Sequence, residues 1–214
     1  MVMKDRVGVP IYLFAKAPVP GKVKTRMESH VSMEKCAYLA ELMLEQSIEK
    51  IHQYWPGPLF LTVYPDKQHA VFDRLLRQYD FEMEIQIAGN LGDKLYHFLD
   101  QGISRHGYAA VMGCDVPQVS GEILGDLYYK VVCGENVIGP AIDGGFYFLG
   151  LNKLHKNIFN NIEWEEDRVL PQLEKNMKNL NIECSYGEIL RDIDLWQDLV
   201  WLAQREKRYQ VLFS

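Results

Sequence analysis

The segment 16–26, KAPVPGKVKTR, combines four basic residues with two prolines and a glycine directly after the first apolar run of the chain. A stiff Pro-Gly loop around Gly21 can turn backbone N–H groups towards an anion, and Lys24 and Arg26 can neutralise phosphates. The segment is not a Walker loop, because Val23 stands where such a loop has Ser or Thr. Charge alone also fits a solvated basic loop, and that alternative stays open.

The segment GCDVP places Asp115 directly after the apolar run 108–112, which is typical of a buried central strand. A carboxylate there is costly unless it faces a cleft, is paired or binds a metal ion. Mg²⁺ and Mn²⁺ prefer oxygen ligands, often one or two carboxylates together with substrate phosphates. Asp115 is therefore a candidate ligand for Mg²⁺ or Mn²⁺. The alternative is an N-cap, for which Ser120 is better placed. We expect Cys114 to be a core thiol and not a nucleophile.

The turn Asp143-Gly144-Gly145 is a third candidate site. A pair of glycines lets the backbone approach a ligand closely or take a positive φ. An Asp-Gly pair is equally a strong hairpin signal, so a plain hairpin turn remains the alternative.

The segment 163–169, EWEEDRV, contains four acids with one Trp and one Arg. Acids at the start of a helix favour its dipole, so a capped helix start is one interpretation. The other is acceptor binding by Trp164 and Arg168, with Glu165 or Glu166 as a general base.

The segment RDID precedes the last helical pattern of the chain. In an extended backbone, Asp192 and Asp194 would place both carboxylates on one side. Asp194 is a candidate metal ligand and also a candidate N-cap, and the two roles are compatible.

Alternating strand and helix patterns must position these segments. Apolar runs predict strands at 9–15, 59–64, 83–88, 108–112, 136–139, 146–151 and 182–186. Helical spacing predicts helices over about 33–51, 66–79, 93–103, 120–131, 167–180 and 195–202, the second of them capped by Asp66. This order is typical of an α/β, mostly parallel sheet with helices on both faces, to which the hairpin around Asp143 adds an antiparallel piece.

In open α/β sheets, ligands bind outside the carboxyl ends of the strands. That rule selects the loops 16–26, 89–93, 113–117 and 141–145, which carry most of the residues named above. We find no repeat or linker in the 214 residues and expect a single domain, 1–214.

Composition narrows the function further. The net charge of −6 argues against a general nucleic-acid coat, since nucleic-acid affinity is mostly phosphate neutralisation. Four dispersed cysteines predict reduced thiols, and neither a membrane span nor a signal peptide is evident, so we expect a cytoplasmic protein. The oligomeric state is left open, a homodimer included.

Six segments together resemble a bacterial family with the glycosyltransferase A fold, described as nucleotide-diphospho-sugar transferase-like, some members of which are associated with arsenosugar biosynthesis. The resemblance rests on FAKAPVPGKVKTR, GNLGDKL, GCDVP, GPAIDGGFYFLGL, EWEEDRVL and RDIDLWQDL. It spans residues 11–199 and implies a single-domain Rossmann-like three-layer sandwich that binds a nucleotide diphosphate with Mg²⁺ or Mn²⁺.

The resemblance also implies roles for individual residues. The nucleotide would be bound by Lys16, Gly21, Lys24, Arg26 and Gly92. The metal ion would be bound by Asp115 and Asp194. The sugar or acceptor would lie near Asp143, Gly144, Gly145, Trp164 and Arg168, with Asp143, Glu165 and Glu166 as catalytic acids or bases.

The chain departs from the family pattern at four positions. Asn90, Ile142, Glu166 and Leu195 stand where the family often has Asp, Glu, Thr and Thr. Three hypotheses follow: glycosyl transfer from a nucleotide sugar, nucleotidyl transfer from a nucleoside triphosphate, and a nucleotide- or partner-binding protein without chemistry. Release of nucleoside diphosphate or of pyrophosphate would separate the first two.

Overall fold

The computed structural model describes residues 8–164 and 167–213. The strands of this part of the chain are β1 (Ile11–Lys16), β2 (Leu59–Tyr64), β3 (Glu82–Ile85), β4 (Ala109–Gly113), β5 (Val137–Pro140), β6 (Phe146–Leu151) and β7 (Ser185–Tyr186). Its α-helices are α1 (Met33–Tyr54), α2 (Ala70–Gln78), α3 (Leu91–His106), α4 (Gly121–Val132), α5 (Val169–Asn179) and α6 (Trp196–Ala203). Short 3₁₀ helices occupy Thr25–Met27 and Lys207–Phe213.

All these strands form one sheet in the order β3-β2-β1-β4-β6-β5-β7. Neighbouring strands pair in parallel except at β6, which is antiparallel to both β4 and β5. The prediction of a mostly parallel sheet with an antiparallel addition is therefore confirmed. The chain runs outwards from β1 to β3 and then crosses back to place β4 on the other side of β1. The topological switch point, where α/β proteins form a ligand crevice, therefore lies between the carboxyl ends of β1 and β4.

Helices cover both faces of the sheet. On one face, α1, α2 and α4 bury residues such as Ile48, Phe72 and Leu127 against the sheet. On the other face, α3 and α5 do so with residues such as Phe98 and Leu173. This is the three-layer arrangement that the alternating sequence pattern predicts.

A third apolar cluster joins α1 to α6 and to the 3₁₀ helix at Lys207–Phe213. It contains Met27 and Ile193, both fully buried, which come from the loop after β1 and from the segment before α6. Burying these two side chains holds two irregular segments at fixed positions beside the switch point, and both segments carry predicted site residues.

Two capping predictions are wrong, and a third is tested at one residue. His69 and not Asp66 caps α2, because the Asp66 carboxylate accepts a hydrogen bond from Gln68 N within its own turn. Residue 195 and not Asp194 is the N-cap of α6. The acids before α5 do not cap it through Glu163, whose backbone and carboxylate instead bond Gln172.

Ser120 does cap α4, as predicted, by accepting a hydrogen bond from Ile123 N. Within the described ranges, none of the helices combines the length and the apolar character that crossing a membrane requires.

Candidate active site at the carboxyl ends of β1 and β4

The loop after β1 holds Lys24 in an unusual backbone conformation. Ala17 N donates to Tyr64 O, which ties the start of the loop to the end of β2. Lys24 has a φ of 52°, a left-handed conformation that is uncommon for a residue with a side chain. Met27 N donates to Lys24 O, and Met27 is anchored in the third apolar cluster. The loop therefore fixes where the Lys24 side chain begins.

The Lys24 side chain runs inwards and ends on two carboxylates. Its ammonium lies 2.8 Å from Asp115 Oδ1 and 3.8 Å from Asp194 Oδ1, with only 6% of the side chain exposed. Burial alone would lower the pKa of Lys24, but Asp115 and Asp194 outweigh this effect and the pKa is raised. The ammonium is therefore charged at every physiological pH, so the site contains a resident cation.

Arg26 supplies a second cation at the mouth of the site. Its guanidinium donates to Asp194 Oδ2 over 2.7 Å, and 67% of the side chain is exposed. Lys24 thus lies beneath the aspartates and Arg26 lies at the surface, where an anionic ligand can reach it.

A backbone hydrogen bond joins the two aspartate segments. Ile193 N donates to Asp115 O over 2.9 Å, and the Ile193 side chain points into the apolar cluster. Because side chains alternate along an extended segment, Asp192 and Asp194 both point away from that cluster. Both carboxylates therefore lie on one side of the segment, as the Asp-x-Asp spacing predicts, and the backbone hydrogen bond places that side next to Asp115.

Asp198 holds this segment in position. Its carboxylate accepts hydrogen bonds from Leu195 N at 2.9 Å and from the Arg191 guanidinium at 2.8 Å. Asp198 is mostly buried, so it forms a fixed support behind Asp194.

Asp192 is the site residue to which sequence reasoning assigned no role. Burial, together with the negative charges of Asp115 and Asp143, raises the pKa of Asp192 to about 8. One of its oxygens, Oδ1, is buried and accepts no hydrogen bond from the described residues. The signal in the sequence was the alternation in RDID, which places its carboxylate on the same side as that of Asp194.

The hairpin between β5 and β6 adds Asp143 to the carboxylate group. Gly144 has a φ of 88° and Gly145 N donates to Asp143 Oδ1, which makes a tight turn. The hairpin interpretation is therefore correct. Asp143 nevertheless lies near enough to Asp192 to raise its pKa, so the turn also presents a carboxylate to the site.

The remaining predicted residues have no recorded contact with the carboxylates of Asp115, Asp192 and Asp194 among the described residues, although Asp167 and Leu170, on either side of Arg168, pack against Gly144. Gly92 is buried at the start of α3, where a Cβ would come within 2.9 Å of Trp164, so its packing role is evident. Arg168 is exposed, 4.0 Å from Asp167. Lys16 is exposed at the end of β1, and Gly21 has a φ of 72° in the loop that follows. Glu165 and Glu166 lie outside the described residues.

The donor set fits a hard divalent cation only in part. In the described ranges, no three acidic, histidine or cysteine side chains form a ready metal cage. Asp115 and Asp194 nevertheless face one shared cation, the Lys24 ammonium. Mg²⁺ is usually bound by one or two carboxylates with substrate phosphates completing its shell. The two aspartates meet that requirement, provided that a phosphate supplies the remaining ligands.

Solved structures share this fold. A protein from Desulfovibrio desulfuricans G20, provisionally described as a nucleotide-diphospho-sugar transferase, matches with a TM-score of 0.84 and 23% identity over 96% of this chain and 94% of its own. The 4-diphosphocytidyl-2C-methyl-D-erythritol synthase of Anaerococcus prevotii matches with a TM-score of 0.58 and 11% identity over 94% and 100%. Rv0371c of Mycobacterium tuberculosis H37Rv, in complex with manganese, matches with a TM-score of 0.50 and 16% identity over 92% and 100%. The chain therefore has the nucleotide-diphospho-sugar transferase-like fold.

Sequence comparison gives the family. No curated protein is significantly similar to the chain. Residues 47–166, more than half of the chain, match the family described as uncharacterized protein conserved in bacteria (DUF2064). The protein therefore belongs to the DUF2064 family.

Proposed function

We propose that the protein is a metal-dependent transferase that binds a nucleotide-diphospho-sugar and moves the sugar to an acceptor. The observation that carries this proposal is the convergence of Lys24, Asp115, Asp194 and Arg26 at the switch point between β1 and β4. Two cations and two carboxylates there could bind a diphosphate together with a divalent ion. The shared fold with the D. desulfuricans protein supports the same class of substrate.

The donor would lie between the loop after β1 and the aspartates. Arg26, exposed at the mouth, can form a two-pronged contact with a phosphate, and Lys24 can add a second positive charge. Asp115 and Asp194 would hold Mg²⁺ or Mn²⁺. When bound, the metal ion would stabilise negative charge on the departing diphosphate.

The transfer would require an acceptor hydroxyl next to the hairpin between β5 and β6. Its oxygen would form a bond to the anomeric carbon of the sugar as the bond from that carbon to the diphosphate oxygen breaks. The leaving nucleoside diphosphate keeps the electron pair, and Asp143 takes the hydroxyl proton in an inverting reaction. Asp143 suits this role because it is exposed and presented by a rigid turn.

Nucleotidyl transfer is the second candidate. The fold shared with 4-diphosphocytidyl-2C-methyl-D-erythritol synthase favours it. The same clamp would then bind a nucleoside triphosphate, and a phosphorylated substrate would attack the α-phosphate and release pyrophosphate.

A thermal-shift screen tests the shared requirement. Nucleoside di- and triphosphates and nucleotide sugars are tested with and without Mn²⁺, because a ligand that binds the native state alone raises its melting temperature. We expect the melting temperature to rise only when nucleotide and Mn²⁺ are both present. The dissociation constant of the nucleotide should be at least tenfold larger for Asp115→Asn than for the wild type. Asp100→Asn, at an exposed position in α3, is the control and should bind like the wild type.

Product analysis then decides between the candidates. Nucleoside diphosphate release from a nucleotide sugar supports glycosyl transfer, and pyrophosphate release supports nucleotidyl transfer. Nucleotide binding that changes neither on addition of Mn²⁺ nor in Asp115→Asn would contradict both candidate functions. It would favour a nucleotide-binding protein without catalytic activity.

A further inference from the structure

The position of the Lys24 ammonium differs from that of a phosphate-binding lysine that awaits its ligand. Such a lysine would be largely exposed, as Arg26 is with 67% of its side chain exposed. The Lys24 side chain is 6% exposed, and its ammonium lies between Asp115 and Asp194, whose side chains are 46% and 39% exposed. The ammonium therefore already lies between the two carboxylates that the metal ion would use.

The contacts explain why the ammonium lies there. A buried ammonium needs a carboxylate partner, and two adjacent carboxylates need a cation between them. The left-handed backbone at Lys24 and the anchoring of Met27 direct the side chain to this place. The ammonium of Lys24 and the carboxylates of Asp115 and Asp194 neutralise one another, so the charge on Asp115 is compensated in the free protein.

A divalent ion on the same oxygens would conflict with this arrangement. Mg²⁺ binds carboxylate oxygens at about 2.0–2.1 Å. The ammonium already lies 2.8 Å from Asp115 Oδ1, so the two cations would be close neighbours on one carboxylate. Their repulsion favours an exchange in which one cation leaves as the other binds.

We propose that Lys24 acts as a built-in cation that occupies the place between Asp115 and Asp194 in the free protein and leaves it for the metal ion when a nucleotide phosphate binds. The inference rests on the proposed function, because the phosphate is the anion to which the displaced ammonium moves. Metal and nucleotide would then bind with positive coupling, and each would raise the affinity of the other by the same factor. Lys24 thus couples the binding of the metal ion to the binding of the nucleotide phosphate.

Direct Mn²⁺ binding to the nucleotide-free protein tests this. Mn²⁺ affinity is measured by calorimetry, and by the loss of the free-ion electron paramagnetic resonance signal, in the wild type and in Lys24→Met. Methionine keeps a long side chain but lacks the ammonium. We expect Lys24→Met to bind Mn²⁺ at least tenfold more tightly than the wild type. The control, Lys130→Met, removes a lysine paired with Asp126 on α4 and should leave Mn²⁺ affinity within twofold of the wild type.

A second arm adds ADP, CDP, GDP or UDP, with a correction for Mn²⁺ bound by the nucleotide itself. We expect the effective diphosphate to raise the Mn²⁺ affinity of the wild type at least tenfold and that of Lys24→Met less than threefold. Equal or weaker Mn²⁺ binding by nucleotide-free Lys24→Met would overturn the proposal. Circular dichroism confirms folding, and Lys24→Gln replaces the variant if Lys24→Met does not fold. Failure of every nucleotide to bind would refute the proposed function, and the nucleotide-free comparison would still decide the role of Lys24.

Discussion

Replacing Asp192 by Asn should change how the stability of the protein depends on pH. In the folded protein, the Asp192 carboxyl keeps its proton up to a pKa of about 8, against an ordinary value of 3.8. Between these values the native state holds a proton that the unfolded chain has lost. The free energy of unfolding of the wild type therefore falls as pH rises through this window. The amide in Asp192→Asn cannot ionise, so the variant lacks this contribution.

The expected magnitude follows from the size of that difference. For each pH unit inside the window, the free energy of unfolding of the wild type falls by up to about 1.4 kcal/mol. From pH 5 to pH 8, the stability of Asp192→Asn relative to the wild type should therefore rise by up to about 4 kcal/mol. Within this range the two proteins should be closest in stability at pH 5, where the side chain at position 192 is uncharged in the native state of both.

Urea unfolding followed by tryptophan fluorescence at pH 5, 6, 7 and 8 measures this difference. EDTA is present throughout, so that no metal ion neutralises the aspartates. For Asp100→Asn, the exposed control on α3, the difference in free energy of unfolding from the wild type should be the same at all four pH values. A difference between Asp192→Asn and the wild type that varies by less than about 0.5 kcal/mol over this range would refute the argument that Asp192 is buried among like charges.

Three further predictions concern the turn at Gly144, the support at Asp198 and the exposure of the cysteine thiols. Gly144→Ala should lower the free energy of unfolding by at least about 2 kcal/mol, as measured by urea unfolding, because the φ of Gly144 is 88° and a Cβ there would lie 2.1 Å from Asp167 O. The control is Gly125→Ala, whose added Cβ would have no atom within 4 Å, and this change should leave the stability unchanged or raise it. Asp198→Ala should lower the free energy of unfolding by about 1–3 kcal/mol in the same assay, since the N–H of Leu195 and the guanidinium of Arg191 lose their acceptor. The same change should weaken Mn²⁺ binding, and unchanged Mn²⁺ binding would show that Asp198 does not position Asp194. Exposed Cys133 should react with a thiol reagent in the native protein, whereas buried Cys36 should react only after urea unfolding; equal rates would contradict this arrangement.

The main elements of the fold could be predicted because most of them carry a strong local pattern. The runs at 59–64 and 146–151 match β2 and β6 in both bounds. The strand predicted at 83–88 is shorter, Glu82–Ile85, because β3 is an edge strand that, among the described strands, pairs with β2 alone. Its side chains are only partly buried, so the hydrophobic pattern there is weak.

The site could be predicted in outline and not in its contacts. The rule on carboxyl ends of strands brings the loop after β1, Asp115 and the hairpin at Asp143 to one edge of the sheet. It contains no information on which cation meets which carboxylate. The pairing of Lys24 with Asp115 depends on a left-handed backbone and on the packing of Met27, which are tertiary effects.

Helix caps were predicted least well. Local spacing favoured Asp66 and Asp194, but each carboxylate has another partner in the structure, Gln68 N for the first and Arg26 for the second. The acid that supports the last helix is Asp198, inside its first turn. Several acids of equal local merit stand near these helix ends, and only the three-dimensional arrangement selects among them.

The antiparallel direction of β6 brings a second, separate segment of the chain to the candidate site. Because β6 is antiparallel to β4, the short connection from β5 returns at the same edge as the basic loop, and its tip brings Asp143 there. Asp143 therefore reaches the site on a hairpin of its own, whereas Lys24 and Asp115 stand in the loops that follow β1 and β4.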